Sequence, residues 1–193
     1  MAAGRQLLEE EGPEALTMRR LAERVGIRAP SLYKHLPDKA ALEAAIIATG
    51  FEEAAATFEQ AVEGASEGPG EGPSEGHGEE PGTGRGEGPG ERRPAARGNA
   101  LVTLAAAYRR FALEHPHLYR LMNNGPLPRE HLPPGLENRT AAPLLRAAGS
   151  QARARAVWAF AHGMVMLELD QRFPPDADLD AAWHAGIAAF QAG

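Results

Sequence analysis

Residues 17–36, TMRRLAERVGIRAPSLYKHL, have the pattern of two short helices joined by a tight turn. Thr17 can cap the first helix, and Gly26 can adopt the positive φ that such a turn requires. Pro30 suits the first turn of the second helix, which we expect to reach about Leu36. The pattern therefore predicts a helix-turn-helix. Its predicted buried seam consists of Leu21, Val25, Ile27, Leu32 and Leu36.

The opposite face of the second predicted helix carries hydrogen-bond donors and an aromatic hydroxyl. Residues 17–39 contain six Lys and Arg residues and two acidic residues, a charge of +4 in a chain of net charge −6. Both lysines of the protein, Lys34 and Lys39, lie in this stretch. The acidic total argues against coating of nucleic acid by bulk charge, whereas the local charge favours a confined contact. The outward residues are Arg28, Ala29, Ser31, Tyr33, Lys34 and His35.

Helical periodicity continues on both sides of this motif. No segment alternates between apolar and polar residues over five positions, so we expect no strands and an all-α fold. Residues 123–135 contain four prolines and two glycines, which predicts a loop. The further helices are predicted over 2–11, 38–62, 99–114, 118–122, 136–148, 151–172 and 179–191.

Residues 64–98 differ in composition from the rest of the chain. They hold 12 of the 22 glycines and 5 of the 16 prolines, and no Leu, Ile, Val, Met or aromatic residue. Such a segment has little apolar surface to bury, so we expect it to be a disordered insert. Two interpretations stay open: a tolerated expansion of a surface loop, or a tethered interaction segment.

Composition also excludes several classes of protein and site. The absence of cysteine excludes a disulfide scaffold, a thiolate zinc site and a cysteine nucleophile. The longest apolar stretch, 157–169, is interrupted by His162 and Glu168 and falls short of a membrane span of about 20 residues. The acidic run Glu9-Glu10-Glu11 interrupts any apolar core of a secretory signal. We expect a cytoplasmic protein.

The first part of the chain resembles the DNA-binding domain of the TetR-type transcriptional regulators, over residues 4–47 without a gap. The family usually has a longer first helix preceded by a basic arm, and a chain without that arm is expected to bind DNA more weakly. The matching residues are Gly12, Thr17, Leu21-Ala22, Val25-Gly26-Ile27, Leu32-Tyr33, His35, Lys39 and Leu42.

This resemblance implies three parts of the chain and a role for each DNA-facing residue. The parts are a helix-turn-helix domain at 1–47 with the helix 38–63 as connector, the insert 64–98, and a regulatory and dimerisation domain at 99–193. Thr17 and Lys39 would contact phosphates, and Lys34 a phosphate or a base. Tyr33 and His35 would position the DNA backbone. The residues implied to face the major groove are Arg28, Ala29, Pro30 and Ser31.

The second half resembles the TetR-type subfamily named for a Trp, His and Gly signature, here Trp158, His162 and Gly163. The resemblance implies a ligand pocket and a four-helix bundle between two subunits. An ordinary intramolecular core is the alternative for both sets. The candidate ligand residues are Tyr108, Phe111, Tyr119, Met122, Trp158, His162 and Met166, with Leu118 beside them. The candidate dimer residues are Ala152, Ala156, Ala159, Gly163, Trp183, Ile187 and Phe190.

The expected function is a homodimeric regulator that binds a near-palindromic operator in double-stranded DNA. Repression, relieved by a small apolar or aromatic ligand, is what the family resemblance implies. We expect no cofactor and no metal, because His115-Pro116-His117 is better explained as a helix start.

Two other classes of protein fit the sequence less well. A helical enzyme would need His162 with Glu168 or Asp170, but His162 and Glu168 lie about 240° apart around one helix. A protein-binding module with a degenerate helix-turn-helix and an acidic insert is disfavoured by the intact Tyr33, Lys34 and Lys39.

Overall fold

The computed structural model describes the backbone of residues 1–66 and 94–191, and the side chains of 1–64 and 99–191. Within these ranges the chain forms helices and no strand, which confirms the all-α prediction. Short 3-10 helices occur at Pro13–Ala15 and Arg129–His131. The α-helices are α1 (Ala2–Glu11), α2 (Met18–Val25), α3 (Ala29–Leu32), α4 (Lys39–Ser66), α5 (Pro94–Glu114), α6 (Pro116–Asn123), α7 (Leu136–Ala148), α8 (Gln151–Leu169) and α9 (Leu179–Gln191).

Four helices begin at residues whose side chains cap them, and Thr17 is the cap that the sequence analysis predicts. In each case a side-chain oxygen accepts a hydrogen bond from the backbone N–H three residues later, at 2.8 to 3.2 Å. A cap of this kind stabilises a helix by about 1 kcal/mol. The four capping residues are Thr17, Asp38, Ser150 and Asp178.

Two helices are shorter than predicted. The α3 helix ends at Leu32, although the backbone N–H groups of His35 and Leu36 both donate to the carbonyl of Leu32 at 3.0 Å and continue the turn. The α8 helix ends at Leu169, three residues early, because Gln171 adopts a positive φ of 51°. A residue in that left-handed conformation cannot continue a right-handed helix.

The seam predicted between α2 and α3 is wrong at two positions. Leu21 and Leu32 are buried, and Leu36 is half-buried. Val25 and Ile27, in contrast, are 49% and 40% exposed. Val25 ends α2 and Ile27 lies in the turn, and α3 is only one turn long, so no helix surface covers this end of the motif.

The α4 helix is the central element of the fold. It packs against α5, α6 and α7, and its buried side includes Leu42, Ile46, Ala55 and Phe58. The α8 helix packs against α5, α7 and α9 on the other side of the C-terminal half.

Gly50 allows α6 to approach α4 closely. A Cβ atom at this position would lie 2.6 Å from Sδ of Met122 and 3.0 Å from Cδ1 of Leu118. The first distance is shorter than the contacts that real Cβ atoms make and the second is tighter than most of them, so a larger residue would force Met122 and Leu118 of α6 to shift.

The predicted insert begins and ends within helices. The α4 helix extends to Ser66 and α5 begins at Pro94, so the chain is helical at both edges of 64–98. The remainder of that prediction, over 67–93, lies outside the described residues. None of the described helices combines the length and the apolar character needed to cross a membrane.

Candidate nucleic-acid interface and regulatory core

The turn between α2 and α3 is fixed by backbone hydrogen bonds around Gly26. This glycine has φ 75° and ψ 27°, the left-handed conformation that the sequence predicts. Its N–H donates to the carbonyl of Glu23 at 3.2 Å, and the N–H of Ile27 donates to the carbonyl of Ala22 at 3.0 Å. These bonds satisfy the last carbonyls of α2 and set the direction in which α3 leaves.

The residues predicted to face DNA are accessible in the structure. Tyr33, for example, is 50% exposed although it is aromatic. Thr17 and Ala29 are half-buried, as expected of a cap and of a residue at the start of α3. The remaining residues of this set are exposed: Arg28, Pro30, Ser31, Lys34, His35 and Lys39.

The cations of this region divide into paired and unpaired ones. Arg19 Nε lies 2.9 Å from Glu23 Oε1, and Arg20 and Arg24 pair with acidic residues of α1. Lys39 Nζ lies 3.4 Å from Glu43 Oε1. Arg28 and Lys34, by contrast, have no ion pair with any residue that the structure describes. The positive charge left for an external anion is therefore concentrated at α3 and the turn that follows it.

A polar network lies at the centre of the C-terminal half. The hydroxyl oxygens of Tyr108 and Tyr119 are 2.7 Å apart, and Tyr119 Oη lies 2.7 Å from Nδ1 of His162. Trp158 lies beside the imidazole with a centroid distance of 6.2 Å and is 49% exposed. The network therefore links α5, α6 and α8 and has an aromatic ring at its outer edge.

Burial favours the neutral forms of the groups in this network. It raises the pKa of both tyrosine hydroxyls above the ordinary value and lowers the pKa of the His162 imidazole. A neutral imidazole and two neutral phenols can both donate and accept hydrogen bonds. The arrangement is suited to an uncharged polar group rather than to an ion.

The other predicted ligand residues lie at different distances from this network. Phe111 is buried and contacts Phe58, whose ring stacks on Tyr108 with a centroid distance of 5.8 Å. Met122 lies at the contact between α6 and α4, beside Gly50. Met166 is half-buried at the edge of the core. The structure therefore brings together the aromatic residues and His162 more closely than the two methionines.

A groove of about 190 Å³ lies elsewhere, between α5 and α9. None of the seven predicted ligand residues lines it. Sequence reasoning missed it because no motif marks its residues and the two helices are far apart in the chain. The lining residues are Val102, Ala105, Ala106, Arg109, Asp180, Trp183, His184 and Ile187.

The buried carboxylate of Glu168 ties three helices together beside this groove. Its side chain is 5% exposed and accepts hydrogen bonds from Arg109 Nε at 3.0 Å and from the indole N–H of Trp183. The Arg109 guanidinium lies 5.7 Å from the centre of the Trp183 ring and also binds Asp180. Glu168 thus joins α8 to α5 and α9.

The predicted dimer residues fall into two groups. Ala152, Ala156 and Ala159 are exposed on α8, and a Cβ at Gly163 would meet open space. Phe190 is half-buried and contacts Phe160. For the remaining two, Trp183 and Ile187, the dimer prediction is corrected. They are 6% and 3% exposed within the single chain, because α9 turns them toward α5.

Two family models match this chain. The model described as "Bacterial regulatory proteins, tetR family" matches residues 1–46. The model described as "Tetracyclin repressor-like, C-terminal domain" matches residues 101–190, and the two together cover well over half of the chain. The finer resemblance to the Trp-His-Gly subfamily stays a prediction.

A curated relative and two solved structures resemble the chain. The tetracycline repressor protein class G of Vibrio anguillarum is 50% identical over 42 residues, which span 22% of this chain and only 20% of the relative. A protein of unknown function from Rhodococcus sp. RHA1 has a TM-score of 0.67 at 24% identity, covering 100% of this chain and 91% of that one. A variant of TetR from Acinetobacter baumannii AYE, in complex with minocycline, has a TM-score of 0.61 at 23% identity, covering 100% and 92%. These structures establish a shared fold.

Proposed function

The chain belongs to the TetR family of bacterial regulatory proteins, and we propose that it is a sequence-specific DNA-binding regulator that represses transcription. A regulator of this kind acts on DNA in the bacterial cytoplasm and catalyses no reaction. The proposed parts are the DNA-binding domain at 1–47, the connecting helix, the insert, and the regulatory and dimerisation domain at 99–193.

The observation that carries this proposal is the position of the unpaired cations. Arg28 and Lys34 flank α3, are exposed, and lack an ionic partner among the described residues, whereas Arg19 is paired on the neighbouring helix. Phosphate contacts supply most of the affinity of a protein for DNA, and base contacts supply the sequence preference. A basic, donor-rich α3 beside a capped α2 provides both kinds of contact.

Each DNA-facing residue has a role that its chemistry supports. Arg28 can donate two hydrogen bonds to one guanine, and the small apolar surfaces of Ala29 and Pro30 can contact a thymine methyl group. Lys34 and Lys39 can bind phosphates. Lys39 would exchange its partner Glu43 for a phosphate, which costs little because exposed ion pairs contribute only about 0–1 kcal/mol. Thr17 would bind phosphate beside the free N–H groups of α2, and Ser31, Tyr33 and His35 complete the proposed surface.

The proposed assembly is a homodimer on a near-palindromic operator. One α3 contacts too few bases for useful specificity, so two copies would read two half-sites. The exposed small residues of α8, Ala152, Ala156, Ala159 and Gly163, would allow the α8 helices of two subunits to approach closely. Phe190 would lie at the edge of this surface.

The proposed effector is a small, largely apolar or aromatic molecule with one uncharged polar group. The neutral network of Tyr108, Tyr119 and His162, with Trp158 at its outer edge, matches that chemistry. Phe111, Met122 and Met166 would supply apolar contacts around it. Binding would favour a conformation with lower affinity for DNA.

Selection of bound sequences from random DNA tests this function directly. We expect enrichment of one inverted repeat, and binding of a duplex with that repeat should weaken steeply with salt. A duplex with the same composition in scrambled order is the matched control. If no sequence is enriched even at low salt, the chain is not a sequence-specific regulator.

A further inference from the structure

Three consecutive carboxylates stand in the last turn of α1, at Glu9, Glu10 and Glu11. A helix C-terminus carries partial negative charge, so acidic residues are disfavoured there. The local stability of α1 therefore does not account for this run. Successive helical positions are about 100° apart, so the three side chains leave α1 in different directions.

Glu10 and Glu11 hold the first helix of the helix-turn-helix. Glu10 pairs with Arg24 of α2, and Glu11 pairs with Arg20. Oε1 of Glu11 also lies 3.7 Å from Nη1 of Arg24. Both cations that α2 turns toward α1 are thus bound by the end of α1, and a displacement of α1 would move α2 with it.

Glu9 points to the other half of the molecule. Its two carboxylate oxygens accept hydrogen bonds from the backbone N–H groups of His117, at 3.3 Å, and Leu118, at 2.9 Å. These N–H groups lie in the first turn of α6, and His115, at the start of that helix, provides no side-chain cap. The cap of α6 therefore comes from a residue more than 100 positions earlier in the chain.

The same short helix reaches the polar network. Leu118 binds Glu9 through its N–H, and the next residue, Tyr119, lies 2.7 Å from His162 through its hydroxyl. Tyr119 is 2% exposed and is held by Tyr108 as well, so α6 has little freedom to move without changing these bonds. One helix of eight residues thus joins the end of α1 to the centre of the C-terminal half.

We propose that Glu9, Glu10 and Glu11 form a coupling element that transmits the position of α6 to α2 and thereby sets operator affinity. The proposal rests on the proposed function of α2 and α3 in DNA binding. When α6 shifts at Tyr119, the Glu9 cap moves α1, and the ion pairs of Glu10 and Glu11 carry that movement to α2. Glu9 acts here as a positioning residue, because it touches neither the operator nor the network.

A second set of contacts also joins α1 to α6, and it can be tested separately from the contacts of Glu9. Arg5 pairs with Glu53 of α4, with Nη2 of Arg5 3.2 Å from Oε1 of Glu53, and Gly50 of α4 contacts Met122 of α6. This route passes through α4 and does not involve Glu9. Substitution of Glu9 therefore tests the α1 route while the α4 route stays intact.

A double-mutant cycle on operator affinity tests the proposal without a ligand. The perturbation is Tyr119→Phe, which removes the hydroxyl that binds His162. The probe is the duplex enriched by selection, and its Kd is measured with the full chain carrying Tyr119→Phe, Glu9→Ala or both. We expect Tyr119→Phe to change Kd by about fivefold alone and by less than about twofold when Glu9 is replaced.

Two control variants distinguish the loss of coupling from a general loss of negative charge and from misfolding. Glu14→Ala removes an exposed carboxylate near α1, and in that background the fivefold effect of Tyr119→Phe should persist. Glu9→Gln keeps one acceptor oxygen for α6, so it should restore part of the effect and serves as the test if Glu9→Ala fails to fold. Equal effects of Tyr119→Phe with and without Glu9, or no effect in either, would overturn the coupling. Failure to enrich any operator would instead overturn the proposed function.

Discussion

The two halves of the molecule place their polar groups differently. Around α2 the charged side chains lie at the surface, and the pair of Arg19 and Glu23 is 86% and 60% exposed. In the C-terminal half the ion pair of Arg109 and Glu168 is largely inside, and the side chain of Glu168 is only 5% exposed. Pairs of the first kind are screened by water and exchange partners easily, whereas pairs of the second kind hold helices in place. The difference suits one half to bind a charged partner and the other to keep a defined internal arrangement.

Removal of the buried Glu168 should have the largest effect on the free energy of unfolding. In Glu168→Ala the Arg109 guanidinium keeps only Asp180, and the Trp183 N–H loses its acceptor. We expect the free energy of unfolding to fall by about 3 kcal/mol, measured by urea denaturation. The matched change Glu137→Ala removes an exposed partner of Arg129 and should cost less than about 1 kcal/mol. Equal losses would mean that burial does not distinguish the two ion pairs.

Substitution of two glycines of α4 should give the next largest difference in stability. Gly50→Ala places a methyl group 2.6 Å from Met122 Sδ and should destabilise the protein by about 1–3 kcal/mol. Gly64→Ala meets no atom within 4 Å and should stabilise the protein by up to about 1 kcal/mol, because alanine favours helix. Thermal unfolding of both variants measures the difference. A stable Gly50→Ala variant would show that α6 can move away from α4 at little cost.

Two arginines of the helix-turn-helix, the unpaired Arg28 and the paired Arg19, should differ in their effect on DNA binding. Arg28→Ala should reduce discrimination between the operator and a duplex with one altered base pair by about 1–3 kcal/mol, up to a hundredfold in Kd. Arg19→Ala removes a cation that Glu23 already neutralises and should change that ratio by less than about twofold. Binding titrations at one fixed salt concentration measure both ratios. A larger effect of Arg19 would place the base-reading surface on α2.

The smallest expected effect is on the pH dependence of stability, through His162 in the C-terminal half. Burial lowers the pKa of His162, so between that value and the ordinary value of about 6.5 the unfolded chain binds a proton that the folded chain does not. The corresponding stability is present above about pH 6.5 and is lost as the pH falls below it. His162→Gln should make the free energy of unfolding less dependent on pH between about 7.5 and 5.5. His184→Gln, at an exposed position of α9, is the matched control substitution.

The features that sequence predicted best depend on residues close together in the chain. Thr17 caps α2 by accepting a hydrogen bond from a backbone N–H three residues away, so its role follows from local geometry. Burial depends on which elements cover a residue, and this is why Val25 and Ile27 were expected inside and lie outside.

Sequence patterns do not predict contacts between residues that are far apart in the chain. The family resemblance implies a subunit interface at Trp183, and only the packing of α9 on α5 shows this residue to be internal. The cap that Glu9 provides for α6 has no periodic signal, because the accepting carboxylate and the donating N–H groups are more than 100 residues apart. The predicted roles of Arg28 and Lys34 stay predictions, since their partner would be DNA.

The close contact of Gly50 with α6 lies partway along α4, and the helix continues on both sides of it. Eleven residues lead from Gly50 to Lys39, a distance of about 16 Å at ~1.5 Å per residue. A rotation of about 10° around this contact displaces Lys39 by about 3 Å, close to the ~3.4 Å rise between successive phosphates of one DNA strand. If α4 turns at this contact, a small rotation inside the protein would shift the end that we propose to face DNA by about one base-pair step.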